Sequence, residues 1–189
     1  MSNDRHLLLQ STANRRLNVG SGQHPLHYWT NIDASPNALA DIVQSVPPLP
    51  FADASLDEIY AGHFVEHLTP EEADAFLQEC FRCLTPNGRV GLLVPDTREV
   101  MKRYLRADID EIEYPQGVWH PVADLDSVCR MFLYSTVQES GHKWSYDSRT
   151  LRNLLERNGF KVTRPIDRWK DPRVALGAWY QCGWDATRP

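Results

Sequence analysis

Several things that would have fixed the class of this 189-residue chain at once are missing from it. No apolar run approaches the roughly 20 residues that a membrane-spanning helix requires. No basic excess is present either: 20 Lys and Arg stand against 25 Asp and Glu, giving a net charge of −5 and a pI near 5.8. A nucleic-acid binder needs a basic face to neutralise phosphate, so that class is excluded at the outset. The opening "MSNDRHLLLQ" lacks the basic segment and apolar core of a secretion signal, which makes the cytoplasm the expected compartment. Four cysteines are too few for a disulfide framework and are expected as free thiols. There is no internal repeat and no low-complexity tract.

What is present reads as one α/β domain over residues 1–189. Short runs rich in Val, Ile and aromatics alternate with helical patterns, and such alternation builds a mostly parallel sheet. Strands are expected at "RRLNV", "WTNID", "ADIVQ", "LDEIYA", "RVGLLV", "FKVTRPI" and "ALGAWYQCGW". One helix starts after Thr69, where Thr-Pro-Glu-Glu supplies an N-cap, a proline in the first turn and Glu72 placed for a capping box. It stops before "TPNG". Cys80 and Cys83, though spaced Cys-x-x-Cys, fall on the apolar face of this helix with Phe76, Leu77, Phe81 and Leu84, so they are expected in the core. A second helix, "SRTLRNLLERNG", closes on Gly159. Residues 97–146 between them are acidic, aromatic and marked by proline, and are expected to be a substrate-facing insertion rather than a separate domain.

The stretch "AGHFVEHLTPEEA" contains His63-x-x-Glu66-His67, the ligand and base spacing of a zinc hydrolase. Two histidines at i and i+4 converge on a metal only from one face of a continuous helix. Here a strand and Gly62 precede the motif and Thr69-Pro70 starts a new helix just after it, leaving room for about one and a half turns. The zinc hydrolase therefore ranks third, and no metal ligands are expected. His63 instead lies just past the carboxyl end of a strand, the edge at which open α/β sheets bind ligands.

"LNVGSGQHPLHYWTNID" is the most informative segment. A strand ends in Gly20-Ser21-Gly22 and the next ends in Asp33. The glycines allow a tight turn and close approach to a ligand, and an acid ending the second strand can accept two hydrogen bonds from a ribose diol. A dinucleotide site would have a third glycine opening a helix and a later acid. Neither is here, which points to an adenosyl ligand whose anion is a carboxylate.

Taken in order, "LNVGSG", "HYWTNID", "ADIV", "PLPFADASLDEIYAGHFVEHLTPEEADAFLQECFRCLTPNGRVGLLVPD" and "GHKWSYDSRTLRNLLERNGF" resemble the class I S-adenosylmethionine-dependent methyltransferases, in particular a short bacterial group of the type 11-like kind. The resemblance spans most of residues 16–162. It implies a Rossmann-like seven-stranded, mostly parallel sheet with helices on both faces and an antiparallel last strand, and S-adenosyl-L-methionine as cofactor. It also implies cofactor contacts from Gly20, Ser21, Gly22 and Asp33, the adenine near Ser45 and Val46, and His63 facing the sulfonium region. Glu66-His67-Leu68 takes the place of an "E-H-L" that edges the pocket. Ser45 departs from the acid usual at its position. Asn87 replaces a turn glycine, a harmless change because Asn tolerates left-handed angles.

Methyl transfer to a hydroxyl needs the acceptor held in line and its proton removed near neutral pH, a task suited to histidine. His142, His63 and Asp96 are the catalytic candidates, with His120 a further histidine in the insertion. His142 is favoured because "HKWSY" returns from the insertion toward the sheet. Trp29, Trp119 and Trp144 are candidate stacking residues. The leading expectation is O-methylation of a small-molecule or sugar acceptor; such relatives often accompany bacterial surface-polysaccharide synthesis. A non-catalytic S-adenosylmethionine-binding partner subunit is the alternative.

Overall fold

The computed structural model describes residues 15–106, 112–114, 117–120, 141–166 and 181–189. Seven strands form one sheet: β1 (Arg16–Val19), β2 (Thr30–Asp33), β3 (Ile42–Val43), β4 (Leu56–Gly62), β5 (Leu84–Pro95), β8 (Lys161–Pro165) and β9 (Gln181–Thr187). A two-stranded sheet of β6 (Ile112–Tyr114) and β7 (Gly117–His120) stands apart. The seven-stranded order is β3-β2-β1-β4-β5-β9-β8. All pairings from β3 to β5 are parallel, and β9 runs antiparallel to both β5 and β8. This is the sheet that the sequence resemblance implied.

Because β1 has β2 on one side and β4 on the other, the chain direction across the sheet reverses at β1. The carboxyl ends of β1 and β4 therefore flank a crevice, where ligands of open α/β sheets bind.

The core lies between this sheet and two helices, α1 (Pro70–Cys83) and α3 (Ser148–Arg157). Alternate sheet residues Leu17, Val19, Ile59, Ala61, Val90, Leu92 and Val94 meet Ala73, Phe76, Leu77, Cys80 and Cys83 of α1 and Leu151, Leu154 and Leu155 of α3. Cys80 and Cys83 are thus core residues as expected, and burial pushes both thiols up, that of Cys83 to about 11. Cys80, Cys83 and Cys182 are free. Thr69 and Glu72 form the expected capping box: Glu72 N–H donates to Thr69 Oγ1 at 3.2 Å and Thr69 N–H donates to Glu72 Oε2 at 2.8 Å. Asp147 and Thr150 make a second box at α3, and Gly159 follows that helix at φ +86°. The third helix, α2 (Thr97–Leu105), leaves the end of β5.

The start of β5 and the end of β9 depart most from the expectation. β5 begins at Leu84, not Arg89, because "TPNG" is carried within the strand beside β4, with Asn87 at φ +63° where the pairing register slips. β9 reaches Thr187, because Asp185, Ala186 and Thr187 still pair with β5; its expected start at residues 175–180 lies outside the described residues.

The β1–β2 crossover runs through residues 20–29 with no helix, and parallel strands are normally joined by a longer connection. A buried asparagine supports the short loop. Asn31 Oδ1 accepts from Leu26 N–H at 2.8 Å and from Asn18 Nδ2 at 3.0 Å. Its own Nδ2 donates to the carbonyls of Leu26 and Trp29 and to Asp41. These bonds satisfy backbone groups that a helix would have paired internally.

Candidate active site

The crevice is a cleft of about 630 Å³ lined from four strand ends. Gly20 and Gly22 come from the turn after β1, Asp33, Ala34 and Ser35 from β2, Gln44, Ser45 and Val46 from β3, and His63 and Phe64 from β4. His67, Leu68, Glu72, Gly141 and Lys143 close its far side.

The turn is built for close approach. Gly20 and Gly22 have φ of +69° and +51°, in the left-handed region that L side chains avoid. A Cβ on Gly20 would stand 2.8 Å from Phe64 Cδ2, whereas one on Gly22 would meet nothing within 4 Å. Gly20 thus fits the turn against Phe64, and Gly22 leaves its side of the cleft open. Gly22 N–H donates to Asp33 Oδ2 at 2.8 Å, and Ser35 N–H donates to Asp33 Oδ1 at 2.8 Å. The turn and the carboxylate are therefore one bonded unit at the same sheet edge. Asp33 stays half-buried, with lone pairs left for a ligand. Ser21 is fully buried beneath the turn rather than on the cleft wall, and its Oγ has no hydrogen-bond partner. Ser45 lies exposed at the rim.

His63 begins the far wall. Its φ of +53° is unusual for a residue other than glycine and turns the chain sharply off β4. Both ring nitrogens are engaged: Nδ1 lies 3.2 Å from Glu66 Oε1 and Nε2 lies 2.7 Å from Gln181 Nε2. With the Gln181 amide donating, Nε2 is the acceptor and Nδ1 carries the proton toward Glu66. After it, Val65–His67 forms a single 3₁₀ turn. No continuous helix joins His63 to His67, so the two do not share a helix face as the zinc-hydrolase spacing requires.

His142 is brought to this turn from far along the chain. The Glu66 carbonyl accepts from Lys143 N–H at 2.8 Å and Trp144 N–H at 3.1 Å, and His67 Nδ1 lies 3.2 Å from the Gly141 carbonyl. The rings of His67 and His142 meet edge to face with centroids 4.9 Å apart. Lys143 is paired with Glu72 at 3.0 Å. His142 itself lines a small hollow with Pro95, Trp144 and Tyr146 next to the main cleft. Burial raises the affinity of the Glu66 carboxyl for its proton, but the His63 bond and the imidazoles of His63, His67 and His142 outweigh this and hold it below the ordinary carboxylate range.

Asp96 is not brought into this group. It bridges to Tyr146, caps α2 by accepting from Glu99 N–H at 3.1 Å, and lines a separate cleft with Arg98, Lys102, Arg149 and Arg152. Desolvation pushes its carboxyl up. Trp144 is half-exposed beside His142, whereas Trp29 lies under the Arg16 guanidinium, away from the cleft. The side chains of Trp119 and His120, and most of the 97–146 insertion, lie outside the described residues.

Sequence reasoning left two functional features unread. One is the role of Asn31 in bracing the helix-free β1–β2 loop, for which the only signal was its place between Trp29 and Asp33. The other is the convergence of His67 with His142, which rests on contacts between segments remote in sequence.

Residues 17–92 match a family model described as methyltransferase domain. No curated protein sequence matches the chain. Solved structures share its fold at low identity. A SAM-dependent methyltransferase from Aquifex aeolicus is 15% identical, with 100% of this chain and 90% of that one covered and a TM-score of 0.54. A putative methyltransferase from Haloferax volcanii, in complex with the Trm112 methyltransferase activator, is 11% identical over 98% and 88% of the two chains, with a TM-score of 0.57. A SAM-dependent methyltransferase from Methanosarcina mazei is 15% identical over 96% of each chain, with a TM-score of 0.55. The glycine turn, the acid ending β2 and the wall after β4 all fall within the segment that matches the methyltransferase domain model, and the chain shares its fold with these methyltransferase structures.

Proposed function

We propose that this chain is a methyltransferase that binds S-adenosyl-L-methionine in the 630 Å³ cleft and transfers its methyl group to a hydroxyl of a small-molecule or sugar acceptor. The observation that carries the reading is the bond from Gly22 N–H to Asp33, which puts a side-chain-free turn and a carboxylate on one ligand edge. The residues present fit the cofactor. Gly20 and Gly22 leave room for its methionyl end, Asp33 accepts from its ribose, and Ser45 with the Val46 backbone borders its adenine. When bound, the cofactor supplies an activated methyl on a sulfonium.

The chain's own part is to orient and to exclude water. His63 and Phe64 wall the sulfonium end, with His63 fixed by Glu66 and Gln181. His142, on the segment pinned to the Glu66 carbonyl, is assigned to take the acceptor's proton. The 97–146 segment faces the acceptor, and a cytoplasmic role in bacterial polysaccharide synthesis accords with that substrate class. Asp96, in its separate cleft, serves to shape the segment that carries His142 through its bridge to Tyr146.

One observation favours a second reading. Ser45 offers no charge at the adenine edge, as suits a cofactor-binding partner subunit without activity of its own. The two part in one experiment, which follows labelled methyl transfer to a panel of sugar and phenolic hydroxyls beside binding of S-adenosylhomocysteine. Turnover on any hydroxyl that slows in His142→Ala, with cofactor affinity kept, supports O-methylation. Binding without turnover on every acceptor supports the subunit.

A further inference from the structure

We infer that Glu66, His67 and His142 form a site for one divalent transition-metal ion, with zinc the expected occupant. One donor atom from each lies within 4.8 Å of the others. Donors around a single zinc at about 2.1 Å stand roughly 3.4 Å apart, so a side-chain shift of about 1 Å closes the set.

The strongest sign is the carboxylate. Glu66 is 1% exposed, yet its Oε2 has no hydrogen-bond partner and its Oε1 has only the 3.2 Å approach of His63 Nδ1. A buried, unsatisfied carboxylate is costly unless something charged fills the gap.

The histidine geometry agrees. With the Gly141 carbonyl accepting from His67 Nδ1, the Nε2 lone pair of that ring is left for a ligand, and a backbone carbonyl on the other ring nitrogen is the usual outer support of a metal-bound histidine. The two hydrogen bonds to the Glu66 carbonyl place His142 against the Glu66-His67 pair before any ion arrives. Two imidazoles and one carboxylate suit zinc or a neighbouring transition metal; magnesium and calcium prefer oxygen donors alone.

This is not the His63-x-x-Glu66-His67 arrangement. His63 has both nitrogens committed and supports Glu66 from behind, while the third ligand comes from the carboxyl-terminal end of the insertion. The ion would lie between the cleft, which His67 lines, and the hollow lined by His142. Its role rests on the methyl-transfer reading: a fourth position open to the acceptor oxygen would lower that oxygen's pKa, the task otherwise assigned to His142 as base. The site itself does not depend on that reading.

The test is titration of zinc alone into tag-free, metal-stripped protein, followed by calorimetry, with cobalt absorption as a second readout and no cofactor present. One zinc per chain is expected. His142→Ala and His67→Ala should each weaken binding by about 100-fold or more, beyond the effect of losing an outer support. His24→Ala should not. Because His142 is half-buried at the edge of the fold, that variant reports even where His67→Ala unfolds. Failure of the wild type to take up one equivalent, or uptake that survives loss of His142, overturns the site. A separate titration with S-adenosylhomocysteine shows whether the cofactor reading fails with it or stands.

Discussion

The two glycines of the β1–β2 turn make opposite demands, and alanine at each should separate the fold from the site. At Gly22, φ is +51° and an added Cβ meets nothing within 4 Å. The cost to the fold is then only that of a left-handed L-residue, about 1–2 kcal/mol. At Gly20 the same backbone cost applies, and the Cβ also stands 2.8 Å from the Phe64 ring. That ring packs edge-on against Phe76 at 5.1 Å and has little room to yield. Overpacking adds about 1–3 kcal/mol, for a total of roughly 2–5 kcal/mol. For a chain of this size, 1 kcal/mol moves Tm by about 2–4 °C. Gly22→Ala should therefore lower Tm by roughly 2–8 °C and Gly20→Ala by roughly 4–20 °C. Binding should rank the other way among molecules that remain folded. Gly22 lines the cleft and its added methyl would meet no protein atom, so S-adenosylhomocysteine affinity measured by calorimetry should fall at least about tenfold, or 1.4 kcal/mol. Wild-type affinity in Gly22→Ala would refute the claim that the ligand passes close to this backbone. Equal losses of stability in the two variants would refute the steric account of Gly20.

Asn31→Ala should destabilise the fold by roughly 2–6 kcal/mol in denaturant unfolding, because it strands the Leu26 N–H and the Asn18 amide in a buried site, each at about 1–3 kcal/mol. Acid should unfold the protein early. The Arg82 hydrogen bond, against opposing burial and with help from Leu49 N–H, holds Glu79 below the ordinary carboxylate range. A depressed folded pKa stabilises above the unfolded value and loses that contribution as pH falls through the folded one. The urea midpoint should therefore drop between about pH 5 and about pH 3, and Glu79→Gln should flatten that drop. Cys80 and Cys83, buried and with raised thiol pKa values, should resist alkylation until the protein unfolds; fast labelling of either would contradict their core placement.

What was legible in the sequence was whatever local chemistry decides. The capping box after Thr69, the left-handed positions at Asn87 and Gly159, and the core face bearing Cys80 and Cys83 are each set within one turn of helix or one bend. The ends of β5 and β9 were misjudged for the complementary reason. Asn87 looks like a chain reversal, but pairing with neighbouring strands carries the strand through it, and the apolar run ends at Trp184 although β5 still pairs with Asp185, Ala186 and Thr187. The glycine turn and Asp33 were found because strand ends in a parallel sheet share one edge. His142 was placed near the sheet, but its meeting with His67 depends on the Glu66 carbonyl accepting from Lys143 and Trp144, a contact no local pattern encodes. Asp96 went to another cleft because it caps α2.

The most direct measurement is a calorimetric titration of S-adenosylhomocysteine into the wild-type protein and into Asp33→Ala. Saturable binding of one equivalent is expected. Loss of the charge-assisted ribose bonds in the variant should weaken it by about 1.5–3 kcal/mol, roughly 10- to 150-fold. Absence of binding to the wild type at millimolar ligand, or unchanged affinity in Asp33→Ala, would contradict the assignment of this cleft to an adenosyl cofactor.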